Sequence, residues 1–256
     1  MSEWAMRIPG HRWRKLANCL LDIVYTPQCA LCGEVLRDGR SLCDSCDRDL
    51  PRLSKPYCET CGEPFQGRIE GPFQCPNCGD LDFSFDFARP VLMRDERTRQ
   101  LIHQLKYGRA IHLAAELGRL AAEAFDDERL GPALHANWPL VPVPLHRTRL
   151  QHRNFNQAAE IARIVAKHTA LPVLAALKRI RRTDTQALLG RKARLHNLRG
   201  AFALTSAGRR HLATATGAGA ILIDDVLTTG STVEACAATL RHAGFKSVLV
   251  VTVMRG

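Results

Sequence analysis

No stretch of the chain approaches the run of about 20 apolar residues needed to cross a bilayer. The one apolar patch near the start, Leu16 to Val24, is broken by Asn18 and Asp22. A membrane span and a secretory leader are therefore not expected, and a reducing cytoplasm is the expected compartment. Acidic residues are scarce in one region: Leu145 to Gly200 holds 13 Lys/Arg against only Glu160 and Asp184, a surplus equal to the +11 of the whole chain. Residues 1 to 82 contribute none of it, with 10 Lys/Arg against 12 Asp/Glu. A basic run of this kind either keeps a face solvated or meets a polyanion, and charge alone favours the first.

Cysteine, by contrast, is plentiful. Eight of the ten fall in four Cys-x-x-Cys pairs: Cys29/Cys32, Cys43/Cys46, Cys58/Cys61 and Cys75/Cys78. No βαβ pattern surrounds them, which speaks against thioredoxin-type dithiols, and regular close pairs suit a metal better than a cross-linked secreted scaffold. Thiolates two residues apart can bind one Zn²⁺ from a single turn, and Gly33, Gly62 and Gly79 follow three of the pairs, where a tight turn would aim N–H groups at sulfur. The count predicts two structural Cys₄ zinc sites in successive ribbons. Sequential pairing of the four pairs is the simpler topology, and a cross-braced one stays open. Cys19 and Cys236 read as buried small hydrophobes.

At 256 residues and 46% hydrophobic content the chain can bury a core in one large domain or two smaller ones. Apolar residues at helical spacing predict an amphipathic helix over 11–25, packed on the protein or lying on a membrane. Strands are expected within Phe83 to Met93, one or two helices over Glu96 to Phe125, and a short buried strand ended by prolines in Trp138 to Leu145. Further on, Asn156 to His168 reads as a helix, Gly219 to Leu227 as the central strand, Thr232 to Ala243 as a helix and Ser247 to Val253 as a strand. Strands alternating with helices predict a mostly parallel, doubly wound α/β sheet.

Ile221 to Thr232 reads Ile-Leu-Ile-Asp-Asp-Val-Leu-Thr-Thr-Gly-Ser-Thr. A buried strand would deliver Asp224 and Asp225 to its carboxyl end, where ligands sit in open α/β sheets, and both carboxylates could accept hydrogen bonds from vicinal ribose hydroxyls. The loop Thr228, Thr229, Gly230, Ser231 and Thr232 would wrap a phosphate with N–H groups and hydroxyls at a helix N-terminus. A buried strand that merely ends in two acids and a helix cap is the plain alternative. The ordered string favours the grip, and it resembles the binding motif for 5-phosphoribosyl 1-pyrophosphate (PRPP) of type I phosphoribosyltransferases.

Taken with the cysteine array, Leu105-Lys106-Tyr107, Val141-Pro142-Val143-Pro144, Arg153-Asn154-Phe155-Asn156-Gln157, Arg182-Thr183 to Gln186 and Asn197 with Gly200-Ala201-Phe202, the chain resembles the ComF family over nearly its whole length. That resemblance implies a double zinc ribbon over 29–82, preceded by the helix in 1–28, and a phosphoribosyltransferase-like parallel sheet over 83–256. It also implies a PRPP site with Mg²⁺. Val143 and Pro144 would lie in the pyrophosphate loop, which here lacks glycine, with Arg149 and Arg153 as charge partners. Asp224, Asp225, Arg182 and Lys106 would be the catalytic set. A mobile loop in Arg179 to Gly200 would close over the ligand.

Two departures stand out. The family usually has Gly where Asn154 stands, although Asn tolerates a left-handed backbone. Purine-type phosphoribosyltransferases carry a carboxylate base where Thr228 stands, so that either the acceptor loses its proton readily, Asp184 serves, or no transfer to a purine occurs. Three functions follow from the resemblance: a PRPP-dependent transferase, a competence protein handling single-stranded DNA along Arg179, Arg181, Arg182 and Arg191, alone or with other competence proteins, and a non-catalytic PRPP sensor.

Overall fold

The computed structural model describes residues 27–37, 39–69, 71–79, 81–108, 110–181, 198–215 and 218–256. The helix expected over 11–25, Cys19, Arg182, Thr183, Asp184, Gln186, Arg191 and Asn197 lie outside the described residues. The described residues fall into two compact units, one ending at Asp49 and the other starting at Leu50.

The first unit is built around its thiols. Gly33 takes a left-handed φ of +78° and its N–H donates to the Cys29 carbonyl at 2.9 Å, which closes the first Cys-x-x-Cys turn. Cys43 caps the short helix α1 (Asp44–Arg48), its sulfur accepting the Cys46 N–H.

The larger unit runs α2 (Pro76–Gly79), β1 (Phe87–Leu92), α3 (Glu96–Tyr107), α4 (Leu113–Ala122), α5 (Gly131–His135), β2 (Leu140–Pro142), α6 (Arg147–Arg153), α7 (Gln157–Thr169), β3 (Leu177–Arg179), β4 (Phe202–Leu204), α8 (Ser206–Thr214), β5 (Gly219–Leu227), α9 (Ser231–Ala243) and β6 (Ser247–Arg255). Its main sheet is parallel throughout, in the order β1-β6-β5-β2. The two inner strands, β5 and β6, are buried almost end to end, as strands covered on both faces must be. One face places Ala220 and Leu222, with Val248 and Val250, against Cys236, Ala237 and Leu240 of α9. α4 and α7 pack together, and Gly118 allows this, because a Cβ there would stand 2.4 Å from the Ile164 Cβ.

The α/β class with a parallel sheet is as expected, and β5 has the predicted bounds. Within Phe83 to Met93 a single strand forms. Two α-helices occupy the Glu96 to Phe125 segment, because the chain turns between Gly108 and His112. Neither α6, α8 nor the antiparallel pair β3 and β4 stood out in the sequence. β3 is only Leu-Lys-Arg, and its partner lies more than 20 residues away, so neither strand carries a periodicity of its own. They pair antiparallel in a two-stranded sheet of their own.

Candidate ribose-phosphate cleft and metal centres

Consecutive strand residues point to opposite faces, so Asp224 follows Leu222 toward α9 while Asp225 follows Ile223 to the other side of the sheet. The two acids are buried near the carboxyl end of β5. They are joined locally, the Asp225 N–H donating to Asp224 Oδ1 at 2.9 Å. Lys106, in the last turn of α3, places Nζ 2.7 Å from Asp225 Oδ2. Burial, followed by the adjacent Asp225 charge, pushes the Asp224 carboxyl well above the usual carboxylate range, against the pull of Lys106.

A cleft of about 490 Å³ opens over these acids. It brings together Lys106, Val143, Pro144, Arg149, Arg153, Arg179, Asp224, Asp225, Thr228 and Thr232 from five separate stretches of chain. The Val143 N–H donates to the Ile223 carbonyl at 3.0 Å and Asn156 Nδ2 donates to the Val143 carbonyl at 3.0 Å, so the proline-flanked loop is held beside β5. Asn154 ends α6 at φ +65°, with its N–H on the Leu150 carbonyl, the left-handed turn that glycine would otherwise supply. α6 has no acid, and it carries Arg149 and Arg153 into the same cleft as the twin acids. Burial, then the nearby Arg149 charge, pushes Arg179 below the usual arginine value. A guanidinium remains charged there, so this wall repels itself and gains from an anion.

The hydroxyl loop divides. Thr228 and Thr232 line the cleft, whereas Thr229, Gly230 and Ser231 do not; Thr229 and Ser231 face each other at 2.8 Å between hydroxyl oxygens. Gly230 sits at φ +79°, and no side chain caps the first turn of α9. An uncapped helix start leaves N–H donors for an anion.

Arg181 lies away from the cleft wall, donating to the Arg199 carbonyl at 2.8 Å. Tyr107, Thr148, His152 and Gln157 also line the cleft, and sequence reasoning assigned them no role. Tyr107 lies under the Arg153 guanidinium, 5.2 Å from its ring centroid. Gln157 is buried and its Oε1 has no protein partner, which leaves an acceptor for a ligand hydroxyl. The signal for both was their place in the Lys-Tyr and Asn-Gln motifs.

The eight paired cysteines form two clusters, Cys29, Cys32, Cys43 and Cys46 in one, and Cys58, Cys61, Cys75 and Cys78 in the other. Within each, the four sulfurs lie within 4.8 Å of one another. Pairing is therefore sequential. Four convergent thiols are compatible with structural zinc and leave no open coordination position. Burial opposes ionisation of Cys29, but N–H donors from Cys32, Cys43 and Leu31 bring it down to about 6. The Cys61 thiol and surrounding N–H groups bring Cys58 down to about 4. The second cluster is buried in the core of the larger unit with Phe85, Ala88 and Val250, whereas Cys32 of the first is exposed.

Among the described residues no helix is long and apolar enough to cross a membrane. Residues 20–81 match the double zinc ribbon domain family. The chain is 30% identical over 214 residues to "Competence protein F" of Haemophilus influenzae, covering 82% of this chain and 88% of that protein. It is 29% identical over 247 residues to "DNA utilization protein YhgH" of Escherichia coli K12, and 29% identical over 246 residues to the protein of that name in Salmonella typhimurium, in both cases over 96% of each chain. Similarity of this extent, together with the paired Cys₄ clusters and the parallel sheet, shows that the chain belongs to the ComF family.

Proposed function

We propose that the cleft binds PRPP or a related ribose 5-phosphate and that the protein acts in DNA uptake through the handling of single-stranded DNA. The observation that carries the reading is the cleft itself: buried carboxylates for ribose hydroxyls on one side, and Arg149, Arg153 and Arg179 for phosphate on the other. The 5-phosphate belongs at the uncapped start of α9, beside Thr228 and Thr232. Pyrophosphate belongs between Val143-Pro144 and the arginines. Neighbouring carboxylates below a phosphate site fit Mg²⁺, which when bound would neutralise pyrophosphate oxygens. Asp224 and Asp225 then orient the sugar, Lys106 holds Asp225 in place through their ion pair, and the arginines hold the leaving group's charge.

In a transfer reaction a nucleophile forms a bond to C1 as the bond from C1 to pyrophosphate oxygen breaks, and pyrophosphate leaves with that electron pair. Among the described residues lining the cleft, Asp224 and Asp225 are the only carboxylates, and Thr228 stands where a purine-type base would be. This favours an acceptor that arrives already deprotonated or, as the second reading, a sensor that binds without transfer. The relatives' names, competence and DNA utilization, support the nucleic-acid context.

Titration calorimetry with PRPP and Mg²⁺ tests the ligand. Saturable binding by wild type and loss in Asp224→Asn/Asp225→Asn is expected; equal weak heats from both would remove the proposal. Pyrophosphate release with bases, nucleotides and single-stranded DNA then separates transferase from sensor. For the DNA role, affinity for a single-stranded oligonucleotide should fall with salt and with charge reversal at Arg179 and Arg181.

A further inference from the structure

Arg255, the last residue of β6, is 7% exposed, and its guanidinium joins two parts of the larger unit. Nη1 donates to the carbonyls of Leu227 and Thr228 at 2.8 and 2.7 Å, and to that of Gly256 at 2.7 Å. Nη2 forms an ion pair with Glu63, two residues beyond Cys61 of the second Cys₄ cluster.

Both ends of this bridge matter to something else. Leu227 and Thr228 mark the point where β5 gives way to the hydroxyl loop. A trans peptide points its carbonyl and the following N–H in opposite directions. Capture of these two carbonyls therefore turns the N–H groups of Thr228 and Thr229 away from Arg255 and sets the direction in which the loop leaves the strand. Glu63, at the other end, is held by the cluster's own turn: its carbonyl accepts the Cys58 N–H at 2.8 Å, and the Gly62 N–H donates to the Cys58 carbonyl at 2.8 Å. Gly62 has φ +68° and lies so close to β1 that a Cβ would meet Pro90 Cδ at 2.4 Å. The turn is thus pressed onto the sheet, with little room to shift.

A buried arginine is an expensive way to fill space, since desolvation of the charge is repaid only by good partners. Here its Nε–H has no acceptor, so the residue is not optimised for its own hydrogen bonding. What it does satisfy are carbonyls of the loop and a carboxylate of the ribbon.

We propose that Arg255 is a positioning residue through which the second metal cluster sets the conformation of the ligand loop. Ordered thiolates fix Glu63, Glu63 fixes the guanidinium, and the guanidinium fixes the carbonyls of Leu227 and Thr228. Its consequence for PRPP rests on the reading of Thr228 to Thr232 as a phosphate loop; the mechanical coupling does not.

Hydrogen exchange on the full chain, loaded with zinc, provides the test. The set comprises wild type, Glu63→Gln, Arg255→Lys, wild type stripped by a chelator, and Glu59→Gln. The last removes another ion pair of the same ribbon, with Arg129 at 2.6 Å, which does not reach the loop. Amides of residues 227–232 should exchange about tenfold faster or more in Glu63→Gln and in Arg255→Lys while those of residues 219–224 stay protected, as expected for loss of a charge-assisted bond; after chelation, which also weakens the core, the loop should accelerate more than residues 219–224 do. Glu59→Gln should leave the loop as in wild type. Uniform acceleration across β5 and the loop in the two substituted proteins, or a Glu63→Gln loop that exchanges like wild type, overturns the coupling. A Kd for PRPP and Mg²⁺ that rises in parallel with loop exchange extends it to function. If wild type binds no PRPP, the ligand assignment falls, while the exchange data still decide the coupling.

Discussion

Asp224→Asn should make the protein more stable at neutral pH while removing its ligand. The carboxyl is buried, and both desolvation and the adjacent Asp225 charge hold it above the usual carboxylate range. In the unfolded chain it loses its proton near pH 4, about the ordinary aspartate value. Folded, it keeps that proton to higher pH, so between the two values the native state binds one more proton than the unfolded state. Stability contributed by this group is complete below about pH 4 and declines as pH rises through the elevated value, with a slope of up to about 1.4 kcal/mol per pH unit. For a unit of this size that corresponds to roughly 3–6 °C in Tm per pH unit. Asparagine keeps the shape and an acceptor but carries no proton to lose, so the variant's profile should be flatter and lie above wild type at pH 7. The assay is urea or thermal unfolding of the two proteins side by side across pH, read as the difference, in which loss of zinc in acid is common to both. Superimposable profiles would refute the buried, proton-retaining carboxyl.

Lys106→Met strips the cation from a largely buried pair and should lower stability by about 3–5 kcal/mol in a denaturant titration; a loss of about 0–1 kcal/mol would mean the pair behaves as an exposed one. Cys32→Ser should lose one zinc equivalent and leave unfolding of the larger unit unchanged, whereas Cys61→Ser should lose the other and weaken that unit by several kcal/mol, since binding to structural sites supplies about 10–16 kcal/mol. Metal analysis paired with calorimetry checks both. Asn154→Gly should hold stability within about 0.5 kcal/mol, while Asn154→Val at the same φ of +65° should lose about 1–2 kcal/mol, as measured by urea unfolding.

What was legible in the sequence is what contiguous residues decide. The stretch from Ile221 to Thr232 announces a buried strand, an acid pair, a turn with Gly230 and a helix because each is set by neighbours a few residues away: apolar continuity, a left-handed glycine, hydroxyls at a helix start. The Cys-x-x-Cys turns are local in the same way, so their number and metal chemistry could be read, but not which pairs meet. The tertiary structure decided that the first joins the second and the third joins the fourth, and that only the latter cluster lies in the core of the larger unit. It also decided that Lys106 answers Asp225 from 119 positions away in the chain, that Arg179 enters the cleft while Arg181 does not, and that Arg255 ties the ribbon to the loop. These pairings depend on how sheet, helices and ribbon pack. The energy of a buried charge is determined by partners that packing delivers, and residue order along the chain does not encode them locally.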